Sequence, residues 1–226
     1  MKILVYGAGV LGCNLARNLL RAGKDVTLLA RENWAAEIKQ NGLRIKDEFS
    51  LCTSVSRIPV VTELAPGAKP NKQLIGRIFY GTKYKVVYEP NMEDYLLCHA
   101  AFVMPAAFAC YKTDGDLKKL RGNTAYLNRL LDANIEGYRA IRNAGHTILP
   151  KEDADFEGEK YRKTCLRFFK LMCATSLGKL CASDHAMNAI DEMSALNRDL
   201  KKFFDENGAA YPVWQALEAE AGRYLQ

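Results

Sequence analysis

At 226 residues, 49% apolar and 26% charged, the chain is long enough for one large or two small cores and too apolar to be disordered. Its net charge of +6, from 32 Lys and Arg against 26 Asp and Glu, is spread along the chain, and no basic stripe interleaved with aromatics marks a nucleic-acid surface. Seven cysteines without a C-x-x-C pair, beside only three histidines, imply reduced thiols in a cytoplasmic protein and argue against a metal site.

The first element is an apolar run, Lys2-Ile3-Leu4-Val5-Tyr6, that leads straight into Gly7-Ala8-Gly9-Val10-Leu11-Gly12. Leu15, Leu19 and Leu20 then recur at helical spacing, Ala22-Gly23 ends the helix, and a second apolar run follows over residues 25–30. Strand, glycine turn, helix and strand is the context in which G-x-G-x-x-G carries a mechanism. Gly7 makes the tight turn, Gly9 lets backbone approach a pyrophosphate, and Gly12 lets helix and strand pack closely. The amides of Val10 and Leu11 open the helix, whose positive end suits an anion. The alternative is a glycine-rich turn without a ligand.

An NAD site carries Asp or Glu at the end of the second strand, where this chain reads Leu29-Ala30-Arg31-Glu32. A guanidinium fork suits a 2′-phosphate, so Arg31 points to NADP(H). Two alternatives stand beside that reading: Arg31 as a solvated arginine, and Glu32 as a ribose ligand.

Trp34, Ile38 and Asn41-Gly42 predict a short helix closed by a turn. Leu43-Arg44-Ile45 and residues 51–55 alternate as strands around a polar turn at 46–49, and 57–64 is another apolar run. Residues 65–71 form the clearest breaker cluster. A helix over 73–79 and a strand over 84–88 complete what reads as an incomplete dinucleotide fold, with one βαβαβ half and no strands for the other wall of the crevice.

From residue 89 the chain reads as all helical. Residues 92–111 form a long apolar helix in which Pro105 should cause a kink or break. A helix over 123–144 follows, with Gly145 as cap, then an acidic loop at 149–158 and a broad apolar helix at 160–182, central in the bundle. Ser183 reads as the N-cap of a helix running to Asn207-Gly208, with Ala189, Met193, Leu196, Leu200 and Phe203 buried. Tyr211-Pro212 opens the last helix. The apolar stretches at 96–110 and 171–182 read as too short or too interrupted to span a bilayer, and the start reads as a strand, so neither a membrane partner nor a signal segment is expected.

The expected architecture is therefore an α/β Rossmann-type domain at 1–88, apparently incomplete, followed by an all-α domain at 89–226. G-A-G-V-L-G after the first strand, L-L-A-R after the second, N-G-L-R-I after the next helix and a helical second domain together resemble the ketopantoate reductase family. The resemblance implies an NADPH-dependent oxidoreductase that transfers hydride to a small 2-keto acid or related carbonyl. It implies that Gly7, Gly9 and Gly12 hold the pyrophosphate and Arg31 the 2′-phosphate.

The family's acid is a lysine early in the first long helix of the second domain. Here that region reads Tyr95-Leu96-Leu97-Cys98-His99-Ala100, without a lysine, and His99 is the nearest proton donor, or else a core histidine. The family's substrate-binding glutamate matches Glu192 by position. On one helix, His185, Asn188 and Glu192 at i, i+3 and i+7 would share a face, making Asn188 and Glu192 substrate-binding candidates and His99 and Glu192 catalytic ones; the alternative for Glu192 is a structural ion pair. The absent lysine and absent half-sheet keep open a non-catalytic dinucleotide-binding protein or a structural helical dimer, and a homodimer is compatible with either.

Overall fold

In the computed structural model, residues 1–46, 52–63 and 71–225 are described, with the Arg223 side chain excepted. They form two compact units, Met1–Tyr88 and Glu89–Gln226, each with its own core.

The first unit is α/β. Strands β1 (Lys2–Tyr6), β2 (Asp25–Leu29) and β5 (Val60–Val61) lie parallel in the order β1-β2-β5. Lys2 pairs with Asp25 and Tyr6 with Leu29, so β1 and β2 end level at their carboxyl ends. Helix α1 (Val10–Arg21) connects them, burying Ala16 and Leu19 on one stripe against Val5, Val26 and Leu28. It ends at Ala22, where Gly23 takes φ +72°. Helix α2 (Glu32–Asn41) buries Ala35 and Ile38 in the same core and stops at Gly42, φ +77°. An antiparallel pair follows, β3 (Leu43–Lys46) with β4 (Thr53–Ser56), in the place read as alternating strands. Most of the polar turn expected at 46–49 and of the 65–71 breaker cluster lies outside the described residues.

Helix α3 (Lys72–Phe79) is capped by Asn71, whose side chain accepts from the Leu74 amide at 2.9 Å. Beyond it the expected strand at 84–88 does not form. Tyr-Lys-Val-Val-Tyr has the composition of a strand but pairs with no strand among the described residues. Its tyrosines instead tie it down from their tips: Tyr84 Oη accepts from Asn18 Nδ2 at 2.9 Å, and Tyr88 Oη donates to the Lys72 carbonyl at 3.0 Å. Among the described residues the sheet therefore has three strands, one half of a doubly wound fold.

The second unit is all helical. Helix α4 (Met92–Lys112) is capped by Asn91 and runs unbroken through Pro105. Proline does remove a helical bond there, but Ala101, Met104, Pro105 and Phe108 are all buried, and tertiary packing holds the helix together. At 21 residues α4 is in fact long and apolar enough to cross a bilayer by length and composition, contrary to the sequence reading; it serves as the core helix of this unit. Helix α5 (Thr124–Asn143) packs on it closely, because Gly137 leaves room for Ala101 and Trp214. Helix α9 (Pro212–Ala221) closes the core, with the Trp214 indole edge-on to Phe108 at 5.5 Å and to Phe204 at 5.2 Å.

Two expected helices are divided. The one at 160–182 ends as α6 (Glu159–Ala174), where Thr175 turns to φ −131°, ψ 176°, and the chain re-enters a wide-turned π stretch at Lys179–Ser183. Helix α6 is also peripheral: Phe168 and Leu171 face outward. Ser183 is not an N-cap; it has helical dihedrals, is buried, and leads into α7 (Asp184–Asn188). Ala189, at φ −127°, ψ 40°, separates α7 from α8 (Ile190–Glu206).

The buried stripe of α8 is Met193, Asn197, Leu200 and Phe204, rotated from the one expected. Asn197 is accommodated because its Oδ1 accepts from Trp214 Nε1 at 2.9 Å and its Nδ2 donates to Glu218 at 2.7 Å.

Candidate functional site

The glycine turn sits at the level carboxyl ends of β1 and β2. Gly7 has φ +98°, open to glycine at little cost, and its amide donates to the Leu29 carbonyl at 3.2 Å. A Cβ on Gly12 would overlap the Gly7 carbonyl oxygen, so the third glycine is required by packing of helix against turn. A Cβ on Gly9 would meet nothing within 4 Å. Among the described residues nothing demands a glycine at position 9, and the open space there leaves room for the close approach of a ligand.

Gly9 is the N-cap of α1 and offers no side chain to the first-turn amides. The first intrahelical bond runs from the Cys13 amide to the Gly9 carbonyl at 2.9 Å, so the amides of Val10, Leu11 and Gly12 open the helix without intrahelical acceptors. Val10 and Leu11 are 87% and 86% exposed. The Cys13 thiol donates to the Ala8 carbonyl at 3.2 Å, and burial pushes its pKa up, so no negative charge competes with an anion at this helix end.

Arg31 is the N-cap of α2, two residues beyond Leu29 and so beside the turn. Its side chain is exposed and has no hydrogen-bond or ionic partner among the described residues. Glu32 is likewise exposed, at the first position of α2. The residues present thus fit a dinucleotide phosphate: donor amides, an open approach at Gly9, and an available cation.

In the helical unit, His99 lies on the exposed face of α4, its ring stacked on Tyr95 at 6.3 Å between centroids; it is not a core histidine. Asn188 and Glu192 are both exposed, but the break at Ala189 puts them on separate helices, so they do not share a face by helical spacing as expected. His185 belongs with Asn188 on α7. Asn188 Nδ2 donates to the Asp184 carbonyl at 2.6 Å, whereas Glu192 has no partner among the described residues. Glu192 therefore carries no burial cost, and the ion pair considered for it is not formed with any described residue.

Sequence reading passed over the residues that clamp this unit together. Asp94, read as one more residue of an apolar helix, accepts from Asn91 Nδ2 at 2.6 Å and the Thr147 amide at 2.8 Å, and lies 2.7 Å from His146 Nδ1. Those bonds, the one to His146 first, hold its carboxyl below the usual carboxylate range. No sequence signal joins positions 52 residues apart. A small apolar void lies elsewhere, among Ala106, Leu117, Leu130, Phe169 and Met172, and offers no polar group for chemistry. Among the described residues, no three His, Cys, Asp or Glu side chains converge as a metal site would require.

Residues 3–84 match the family model of ketopantoate reductase PanE/ApbA. The likeness read from the opening motifs is thus borne out across the unit that carries the glycine turn and Arg31. Two solved structures share the fold of the whole chain. One is a PanE/ApbA family ketopantoate reductase from Ralstonia eutropha JMP134, at 15% identity and a TM-score of 0.64, covering 100% of this chain and 98% of that one. The other is D-mandelate dehydrogenase in a ternary structure with NADH and anilino(oxo)acetate, at 11% identity and a TM-score of 0.66, again covering 100% and 98%. Against the ketopantoate reductase pattern, position 99 on the exposed face of α4 is histidine, and residues 95–100 contain no lysine.

Proposed function

We propose that this chain is an NADPH-dependent oxidoreductase of the ketopantoate reductase type, reducing a small 2-keto acid or related carbonyl. The observation that carries the reading is the division of labour among the three glycines: Gly7 by its dihedral and Gly12 by steric overlap serve the turn, while Gly9 meets no contact among the described residues that would need it. The family match over residues 3–84 and the NADH named for the dehydrogenase of similar fold support the same cofactor class.

Bound at the turn, the dinucleotide would supply the hydride. The amides of Val10, Leu11 and Gly12 would hold its pyrophosphate by charge-assisted hydrogen bonds, and Arg31 its 2′-phosphate. In the helical unit, Glu192 is assigned to orient the substrate, with Asn188 beside it. His99 gives a proton to the oxygen that becomes negative as the carbonyl is reduced. A homodimer in a reducing, cytoplasmic compartment is the setting assigned to it.

The test is single-turnover oxidation of NADPH, followed by loss of absorbance at the reduced nicotinamide band, with a panel of 2-keto acids. Oxidation with at least one member supports the assignment. The second reading, a dinucleotide-binding or structural dimer without turnover, is favoured by the three-stranded sheet and the missing lysine. Tight NADPH binding with no oxidation by any acid selects it.

A further inference from the structure

Residues 160–183 contain six Lys and Arg (Lys160, Arg162, Lys163, Arg167, Lys170 and Lys179) and no Asp or Glu. Read linearly, this is an ordinary soluble helix with scattered charges. Folded, α6 turns Tyr161, Cys165, Phe169 and Met172 inward, and the opposite stripe is Lys160, Lys163, Arg167, Phe168 and Leu171, with Lys170 beside it. Phe168 is 41% exposed and Leu171 48%, and Leu180, 39% exposed, follows next to Lys179 in the π stretch. Arg162 is paired with Asp132 and Lys163 with Glu159, while Lys160, Arg167, Lys170 and Lys179 have no ionic partner among the described residues.

We infer that this face of α6 and the turn after it dock on the surface of an anionic phospholipid bilayer. The inference goes beyond the expectation of no membrane partner, which rested on the lack of a spanning stretch. Two properties together choose this occupant. Four cations without an ionic partner among the described residues, on a helix whose sole acid is Glu159 at its first position and on the turn after it, seek a negatively charged surface. Large apolar side chains exposed among those cations gain only where they can leave water, which the boundary between headgroups and acyl chains allows and a purely ionic partner does not. Long Lys and Arg side chains flanking Phe168 and Leu171 reach headgroup phosphates while the apolar pair enters beneath them. The helix lies in the interface and does not cross it, since its other side is the packed core containing Phe169 and Met172. The inference is independent of the oxidoreductase assignment.

The experiment is co-sedimentation of the full chain with vesicles of phosphatidylcholine alone or mixed with phosphatidylglycerol, at low and high salt. Binding is expected to the mixed vesicles only, and to fall at high salt. R167A/K170A should weaken partitioning about 25-fold, from about fivefold for each lost cation. F168S/L171S should weaken it by about tenfold or more at unchanged lipid charge. Circular dichroism melts confirm that both variants fold; R167A/K170A changes only exposed side chains and keeps the test valid should F168S/L171S not fold. Absence of vesicle binding, equal binding to neutral vesicles, or unchanged binding in R167A/K170A overturns the inference. So does binding of a fluorescent single-stranded RNA without vesicle binding, or a concentration-dependent dimer abolished by F168S/L171S without vesicle binding.

Discussion

Gly12 sits so close behind the carbonyl oxygen of Gly7 that no side chain can stand between them. The same turn leaves open space over Gly9, two residues after Gly7. Two glycines of one motif therefore answer to different demands, and substitution separates them. Gly12→Ala should destabilise the first unit by about 1–3 kcal/mol, as overpacked sites do. Gly9→Ala should leave thermal stability within about 0.5 kcal/mol of wild type and still weaken NADPH binding tenfold or more, because the added methyl occupies the approach to the amides. Thermal melts beside a fluorescence titration of NADPH read both. Equal loss of stability in the two variants would show that Gly9 serves the fold instead of a ligand.

Arg31 tests which dinucleotide is held. A hydrogen bond to a charged group is worth about 1.5–3 kcal/mol, or a factor of roughly 10–100 in affinity. Arg31→Ala should lose that factor for NADPH and leave NADH unchanged. The guanidinium has no partner among the described residues, so its removal should not shift the melting temperature. A loss shared equally by both cofactors would assign Arg31 a role away from the 2′-phosphate, and a loss confined to Glu32→Gln with NADH would move the selectivity to the neighbouring carboxylate.

Asp94 makes stability of the helical unit depend on pH in a defined direction. Its carboxyl is held below the ordinary value by His146, the Thr147 amide and Asn91, so in the unfolded chain it binds a proton more readily than in the folded one. The stabilisation is complete above the unfolded pKa of about 3.9 and is lost as pH falls through the lower folded value. Wild type should therefore lose melting temperature more steeply than Asp94→Asn on going below about pH 4. Asp94→Asn should already be less stable at pH 7, where the ionised acceptor is missing. Parallel slopes for the two proteins would remove Asp94 from the acid response.

The sequence made some of this legible and hid the rest for physical reasons. The β1-turn-α1-β2 unit was readable because each local signal agreed: an apolar run, a glycine at positive φ, a helical stripe and a closing Gly23. The strand expected at 84–88 failed because strand composition needs a partner edge, which composition cannot guarantee. The divisions at Thr175 and Ala189 escaped because neither residue is itself a glycine or proline. Asn197 was missed as core because its polarity concealed a site where Trp214 and Glu218 satisfy both ends of its amide. For the candidate site, the nucleotide half was local in sequence and so readable. The face shared by His185, Asn188 and Glu192 presumed one helix and was lost with it.

That division gives the last prediction. Asn188 spends an amide hydrogen on the Asp184 carbonyl at the end of α7, whereas Glu192, in the first turn of α8, is exposed and unengaged among the described residues. If one of them meets the substrate, it is the group free to change partners. Glu192→Gln should lower kcat/KM for the 2-keto acid by about 10–100-fold, the range for a hydrogen bond to a charged group, with NADPH affinity unaltered. Asn188→Ala should cost less than about threefold, consistent with a residue whose amide closes its own helix. Steady-state kinetics on both variants, with cofactor binding measured separately, decide between them. Should Asn188→Ala prove the more damaging, the substrate contact belongs to α7, and the positional match of Glu192 to the family's glutamate fails.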